Sequence, residues 1–299
     1  MGRDTITIGV GDDVIAVTSS PGLIGSLLVG VSFARALAFA LKKPLMEVDH
    51  IKAHLYANFL RFKGEGDSQC HCESQRFQSG RSNLLNSKEI ASSLRSAPRN
   101  DTRTDSFSKF PSLPAIGLVV SGGHSSLFHV KNFNRCILLG QTRDDAAGEA
   151  YDKVARILGL GYPGGPIVDR LAKEGINKQI RFPSADLPGT FDFSFSGVKT
   201  AVLYHLKKNK ALDESSVKRI AYAFQESVVS VLVEKSITAC KKKKVKTLLI
   251  GGGVAANSVL RQKLQWRGRE EQINVFFPPL SLCMDNAAMI AGLAYHVRK

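Results

Sequence analysis

Twice in this chain a short hydrophobic strand runs straight into a glycine turn. Residues 115–121 end in Gly122-Gly123, and residues 245–250 end in Gly251-Gly252-Gly253. Compact runs rich in Val, Ile and Leu read as strands buried on both faces. Glycine lets the backbone that follows turn sharply and come close to a ligand. Helical periodicity surrounds both strands, over 145–158, 166–174, 195–207, 215–243 and 255–266, and a further strand (273–277) precedes a last helix (285–297). Strands alternating with helices define an α/β fold with a mostly parallel sheet. The repeated strand-to-glycine pattern suggests two related lobes: an N-terminal one over 1–140 and a C-terminal one over 141–299, with a ligand cleft between them.

The N-terminal part follows the same grammar. A strand over 14–18 leads through the turn Ser19-Ser20-Pro21-Gly22 into an apolar helix over 23–41. A second strand (44–48) then precedes a short helix. The 23–41 helix is broken by Gly25, Ser26, Gly30, Ser32 and Arg35, which suits close packing in a core. No apolar run approaches the roughly 20 residues of a bilayer span. Ser125–Val130 and Cys136–Gln141 read as a hairpin continuing the sheet. Residues 63–109 are rich in Ser, Arg, Asn and Gln without apolar periodicity, and read as an added, loosely folded insertion. The five cysteines are scattered and odd in number, which fits a reducing cytoplasm rather than a disulfide framework. Cys70-His71-Cys72 lacks the second half of a zinc site.

The formal net charge is +15. A chain this basic is suited to phosphate polymers, because neutralising phosphates releases counterions. Lys241–Lys244 followed by Lys246 is the densest patch, although lysines also complement a helix C-terminus.

The chemistry concentrates in the turns. Val119-Val120-Ser121-Gly122-Gly123-His124-Ser125 offers backbone N–H groups and hydroxyls to an anion. In Gly251–Asn257 a strand feeds a helix whose N-terminus favours phosphate, and Asn257 can bond a base or ribose. Asp152 can accept from ribose hydroxyls. The turn 161–166, with Gly165, lets a ligand lie against backbone, and Asp169 is a further polar candidate one turn into the next helix. Neither glycine turn is a Walker A loop or a dinucleotide fingerprint. The aromatic residues of Phe193–Thr200 fit a core as well as a site.

His50 and His54 stand four apart, one above the other on a helix face. On spacing alone such pairs are more often core or surface histidines. With Asp285, in Cys283-Met284-Asp285-Asn286-Ala287-Ala288, they form two imidazoles and a carboxylate with open positions, a set suited to iron or zinc used in chemistry. His50-Ile51-Lys52-Ala53-His54 lacks the glutamate of a zinc peptidase. The same triad argues against a sugar kinase or other ATPase, which holds Mg²⁺ by carboxylates, phosphates and water.

Taken together, the His50/His54 pair, Ser121-Gly122-Gly123-His124, the 144–166 stretch, Phe193–Thr200, Gly251–Asn257 and Asp285–Ala288 make the chain resemble the tRNA N6-adenosine threonylcarbamoyltransferase family. The resemblance covers about 14–62 and 110–299. It implies a two-lobed fold like actin, Hsp70 and the sugar kinases. It implies transfer of a threonylcarbamoyl group from threonylcarbamoyl-AMP to N6 of adenosine 37 in tRNAs reading ANN codons. By the family pattern His50, His54 and Asp285 hold one divalent metal, Fe²⁺ first and zinc second. Val119, Val120, Ser121, Gly122, Gly123, Asp152, Gly165 and Asn257 bind the adenylate, and Asp169 touches the ribose. No catalytic residue is assigned beyond the metal set. The partners implied are the tRNA anticodon stem-loop and helper subunits, in bacteria an inactive paralogue and a small ATPase, with no membrane and a cytoplasmic setting.

Three departures accompany the match. The family's first hairpin and its acidic Glu-Thr-Ser-Cys-Asp-Glu loop do not precede the strand at 14–18, so the first lobe is expected to be incomplete. Ser20 stands where the family has glycine, and the 63–109 insertion follows the metal helix. The missing acidic loop supports an alternative reading, a non-catalytic nucleotide- and metal-binding scaffold of the same family.

Overall fold

Strand β4 (Ala115–Val120) is buried at every residue and organises the larger of two units. The structure is a computed structural model that describes residues 8–10, 14–60, 110–176, 180–208 and 213–297. The 63–109 insertion and Cys70-His71-Cys72 lie outside the described residues. The chain divides into two compact units, one of Ser106–Asp285 and one combining Asp4–Asp105 with Asn286–Lys299.

In the larger unit β4 lies at the centre of a five-stranded sheet. Antiparallel β5 (Ser125–Asn132) and β6 (Arg135–Gln141) extend it on one side, and parallel β7 (Thr247–Gly251) and β8 (Asn274–Phe276) on the other. The helices are α3 (Ala147–Ile157), α4 (Gly164–Glu174), α5 (Ser196–Lys208), α6 (Glu214–Lys243) and α7 (Ser258–Glu270). Helix α6 starts at Asp213, whose carboxylate accepts from the Ser216 N–H. It buries an apolar stripe including Val228, Val229 and Leu232 in one core with Ile116, Leu118, Tyr151, Phe193, Phe195 and Phe224. The aromatic pair expected as either core or site is core: Phe193 and Phe195 are wholly buried and stacked.

In the smaller unit β1 (Ile8–Val10) pairs antiparallel with β2 (Ile15–Ser20), which runs parallel to β3 (Leu45–Asp49). The strand β1 carried no sequence signal. Helices α1 (Ile24–Leu41), α2 (His50–Tyr56) and α8 (Ala287–Val297) complete the unit. Helix α8 packs on all three strands and on α2. Ser20 closes β2 with φ outside the left-handed region, so glycine is not required there.

Two expectations change. The division does not fall after residue 140. Strands β4–β6 share a sheet with β7 and β8, because Ile116–Val119 pair in register with Leu248–Gly251, and α8 returns to the N-terminal strands. Helix α1 is also not a core helix. Only Gly30, Ala34 and Ala38, one small-residue stripe at i, i+4, i+8, are buried, the two alanines against Ile15 and Val17. Leu28, Val29, Phe33 and Phe39 are exposed. Contrary to the reading that no segment reaches such a length, α1 is long and apolar enough to cross a membrane by length and composition. Its alanine stripe nonetheless packs on β2 as a helix of a layered α/β unit does.

Candidate functional site

Val119 of β4 pairs in register with Gly251 of β7. The two glycine turns therefore leave the sheet side by side, at the same end. Gly252 has φ +88°, and a Cβ there would lie 2.3 Å from the Val120 carbonyl oxygen. Only glycine fits this contact. A Cβ on Gly122, Gly123 or Gly253, in contrast, would meet nothing within 4 Å. These three positions border open space, as does Gly165.

The hydroxyls of the first turn are committed to the protein. Ser121 Oγ accepts from the N–H groups of Gly123 and His124, at 3.3 and 3.1 Å. Ser125 Oγ, fully buried, accepts from Ala147 N at 2.8 Å, and the Ser121 carbonyl accepts from Gly148 N at 3.1 Å. Both bonds dock the first turn of α3 onto the glycine turn. Gly148 is needed for this, since a Cβ would sit 2.6 Å from the Ser121 oxygen. The expected anion-binding turn is thus present as a rigid, self-bonded loop backed by a helix N-terminus.

The remaining expected ligand residues form the frame around it. Asp152, on α3, accepts from Gly164 N at 2.8 Å and so ties α3 to the start of α4. Gly164 packs too tightly for a side chain, with a Cβ position 2.6 Å from that of Ala155. Asp169, on α4, accepts from Ser258 Oγ at 2.9 Å at the start of α7. Asn257 caps α7, its oxygen accepting from Leu260 N at 2.9 Å, while its amide donates to Gln225 Oε1 at 2.8 Å. Gln225, 1% exposed, also accepts from Tyr151 Oη at 3.3 Å. Burial pushes the Tyr151 phenol well up, with Asp169 and Glu226 adding to it, so it stays a donor. Asp169 and Asn257 therefore spend most of their hydrogen-bonding capacity on holding helices in place.

One cluster had not been singled out residue by residue. The Asp144 carboxylate receives Ser194 Oγ, Ser196 Oγ, Phe195 N and Ser196 N, at 2.5, 2.6, 2.8 and 3.2 Å. Asp145 beside it takes Lys153 at 2.6 Å and Lys199 at 2.7 Å. Partial burial pushes both carboxyls up, but the hydrogen bonds, with the lysine charges at Asp145, outweigh it and hold them below the usual carboxylate range. The signal in the sequence was the acid pair Asp144-Asp145 ahead of a small-residue helix start, matched by Ser-Phe-Ser fifty residues on. Nothing local to either segment connects them.

In the smaller unit, Asp49 caps α2 by accepting from Lys52 N at 2.9 Å. The helix then presents His50 and His54 with ring centroids 4.7 Å apart and planes at 80°. Asp285 precedes Asn286, whose side chain accepts from Met289 N at 2.9 Å and caps α8. Helix α8 packs on α2 closely enough that a Cβ on Gly292 would lie 2.5 Å from Tyr56 Cε1. With Asp285, the last residue of the larger unit, the two histidines make a donor set of two imidazoles and one carboxylate, which suits iron or zinc and is too nitrogen-rich for magnesium.

Comparison with known proteins gives a consistent picture. The profile of the family described as TsaD, tRNA N6-adenosine threonylcarbamoyltransferase, matches residues 11–70 and 101–292. A protein of Syntrophomonas wolfei named tRNA N6-adenosine threonylcarbamoyltransferase is 44% identical over 285 residues, which is 95% of this chain and 70% of the relative. Relatives of that name from Clostridium botulinum strain 657 and Clostridium kluyveri are 44% and 42% identical, with the same coverage. Among solved structures, full-length HypF in its phosphate- and nucleotide-bound form aligns with TM-score 0.56 at 11% identity, over 89% of this chain and 38% of that one. HypF of T. kodakarensis aligns with TM-score 0.53 at 12% identity, over 90% of this chain and 39% of its own. At those identities the likeness is one of fold. With the family match it assigns the α/β fold to the actin, Hsp70 and sugar-kinase class.

Proposed function

Because the chain belongs to the tRNA N6-adenosine threonylcarbamoyltransferase family, we propose that it is a tRNA-modifying transferase. It moves the threonylcarbamoyl group of threonylcarbamoyl-AMP to N6 of adenosine 37 in tRNAs reading ANN codons. The observation that carries this reading is the pairing of Val119 with Gly251, which sets two glycine turns side by side with open space at Gly122, Gly123 and Gly253. An adenylate phosphate suits this corner. Backbone can approach it closely, and the N-termini of α3 and α7 both favour negative charge.

In the reaction the N6 amine attacks the carbamoyl carbon and a C–N bond forms. The bond from that carbon to the phosphate oxygen breaks, AMP leaves, and N6 gives up one proton to solvent. The chain's contribution is orientation and charge stabilisation. The turns at 121–123 and 251–253 hold the phosphate as charge grows on the leaving oxygen. Asp152 and Gly165 lie where α3 meets α4, along the sugar. Asn257 and Asp169 act by holding α7 in register with α3 and α4, through Gln225 and Ser258. His50, His54 and Asp285 would hold one divalent ion, Fe²⁺ first and zinc second. When bound, such an ion supplies Lewis-acid polarisation of a carbonyl or phosphoryl oxygen. The setting is the cytoplasm, and the partners are the tRNA anticodon stem-loop and helper subunits of the family's complex.

The test is nucleoside mass spectrometry on unmodified tRNA incubated with the chain, threonine, bicarbonate, ATP and the helper proteins. A His50→Ala/His54→Ala variant runs beside it. Threonylcarbamoyladenosine is expected from the parent chain only. Product from both chains would remove the metal set from the reading, and product from neither would favour the scaffold role.

A further inference from the structure

The last turn of α6 carries Lys241–Lys244, all exposed, and Lys246 follows on the way into β7. Complementing the helix C-terminus does not account for them, because backbone already closes that end. Lys244 is in the left-handed conformation with its N–H on the Lys241 carbonyl at 3.1 Å, and Val245 N donates to the Cys240 carbonyl at 3.0 Å. Only Lys241 of the run has a carboxylate partner among the described residues, Glu271 at 2.7 Å.

Other elements add charge to the same place. Lys131, exposed, follows Val130, the last residue of β5 that pairs with β4. Ala115 of β4 pairs with Val130 of β5 and Ile116 with Leu248 of β7, so Lys131 and Lys246 stand at the same end of the sheet, the end at which α6 finishes. Partial burial, with the Lys131 and Lys243 charges adding to it, holds the His129 imidazole below its ordinary value. Lys242 stands over the Phe191 ring, 5.2 Å from its centroid. The end of β5, the end of α6 and the lead into β7 therefore bring Lys131, Lys243, Lys244 and Lys246 to one end of the sheet.

We propose that Lys131, Lys242, Lys243, Lys244 and Lys246, around His129 and Phe191, form a docking surface for the phosphate backbone of the tRNA. The inference rests on the transferase reading for the identity of the nucleic acid. Phosphate contacts set register and affinity without reading sequence, which suits a surface that must hold many tRNAs.

The experiment measures binding of an unmodified tRNA transcript to the full chain across a salt series. It compares the parent, Lys131→Gln/Lys242→Gln/Lys243→Gln, and the charge-matched Arg181→Gln/Lys207→Gln/Lys208→Gln. Each lost phosphate contact flattens the slope of log affinity against log salt by roughly 0.7 to 0.9. The patch variant is expected to lose about two units of slope and on the order of tenfold or more in affinity at low salt. The matched variant should keep most of both, and AMP binding should be equal in all three. Equal losses in the two variants, or none in the patch variant, would overturn the assignment. In the latter case, loss of binding to an acidic helper subunit would reassign the patch to protein. Failure of the parent to bind tRNA would overturn the transferase reading itself.

Discussion

A Cβ on Gly252 would lie 2.3 Å from the carbonyl oxygen of Val120, so the second glycine turn is in backbone contact with the strand that feeds the first. This single contact joins the two halves of the proposed phosphate site. Gly252→Ala would impose both the φ of +88° and that overlap on an alanine. The expected cost is about 2 kcal/mol or more in urea unfolding, with AMP affinity falling in parallel as the turns separate. Gly253→Ala, where a Cβ meets nothing within 4 Å, should leave stability within about 0.5 kcal/mol. Equal stability of the two variants would show that the turns are not in contact.

Gln225 provides the second link. Its buried carbonyl oxygen accepts from both Tyr151 and Asn257. Gln225→Leu leaves two buried donors without their acceptor, at about 1–3 kcal/mol each. Asn257 would also lose the partner that orients it as the cap of α7. The variant should unfold at lower urea and show a raised KM for the adenylate donor with kcat changed far less, because Gln225 positions the site without touching the reacting atoms. A kcat loss larger than the KM change would give it a more direct role.

Asp144 predicts a pH effect with a definite sign. Its folded pKa is depressed because hydrogen bonds from Ser194, Ser196 and the Phe195 and Ser196 N–H groups outweigh burial. A depressed carboxylate contributes stability that is fully present above its unfolded value of about 4 and lost as pH falls through the folded value. Asp145 and Asp192 are depressed too and act in the same direction. Unfolding free energy measured from pH 6 down to pH 2 should therefore drop most steeply below about pH 4. Asp144→Asn should flatten that part of the curve. A variant curve parallel to the parent's would mean that the seat on α5 does not depend on the charge.

What could be read ahead of the structure was what local chemistry dictates. Buried strands at 115–121 and 245–250 announce themselves as apolar runs, and their glycine turns as punctuation. The His pair at spacing four, after the strand at 44–48, marks a short helix. What could not be read was pairing between distant segments. That Asp144 would meet Ser194 and Ser196, or Gln225 meet Asn257, depends on sheet order, and β4 beside β7 fixes both at once. The same pairing moved the boundary between the units from 140 to 105/106. Helix α1 misled for another reason. Its composition is that of a core helix, but only the stripe Gly30, Ala34 and Ala38 faces the strands, and composition does not reveal how many sides of a helix will be covered.

The metal set yields the last prediction. His50, His54 and Asp285 offer two imidazoles and one carboxylate, enough for one ion with positions left open. Purified without chelators, the chain should carry about one iron or zinc per molecule by elemental analysis, taking the mononuclear site type. His50→Ala or His54→Ala should abolish this, while His205→Ala on α5 should not. Asp285→Asn keeps an oxygen but loses its charge, so metal should be retained more weakly. Stripping with a chelator should leave the helical circular-dichroism signal in place, unlike a zinc finger that unfolds without its ion. Helix α2 is held by its Asp49 cap and its packing against Gly292 of α8, neither of which needs a metal. Unfolding free energy should fall only by the binding free energy, RT ln(1 + [L]/Kd). Metal that stays with both histidine variants would show that the ion sits elsewhere, and collapse of the helical signal on stripping would make the site structural rather than catalytic.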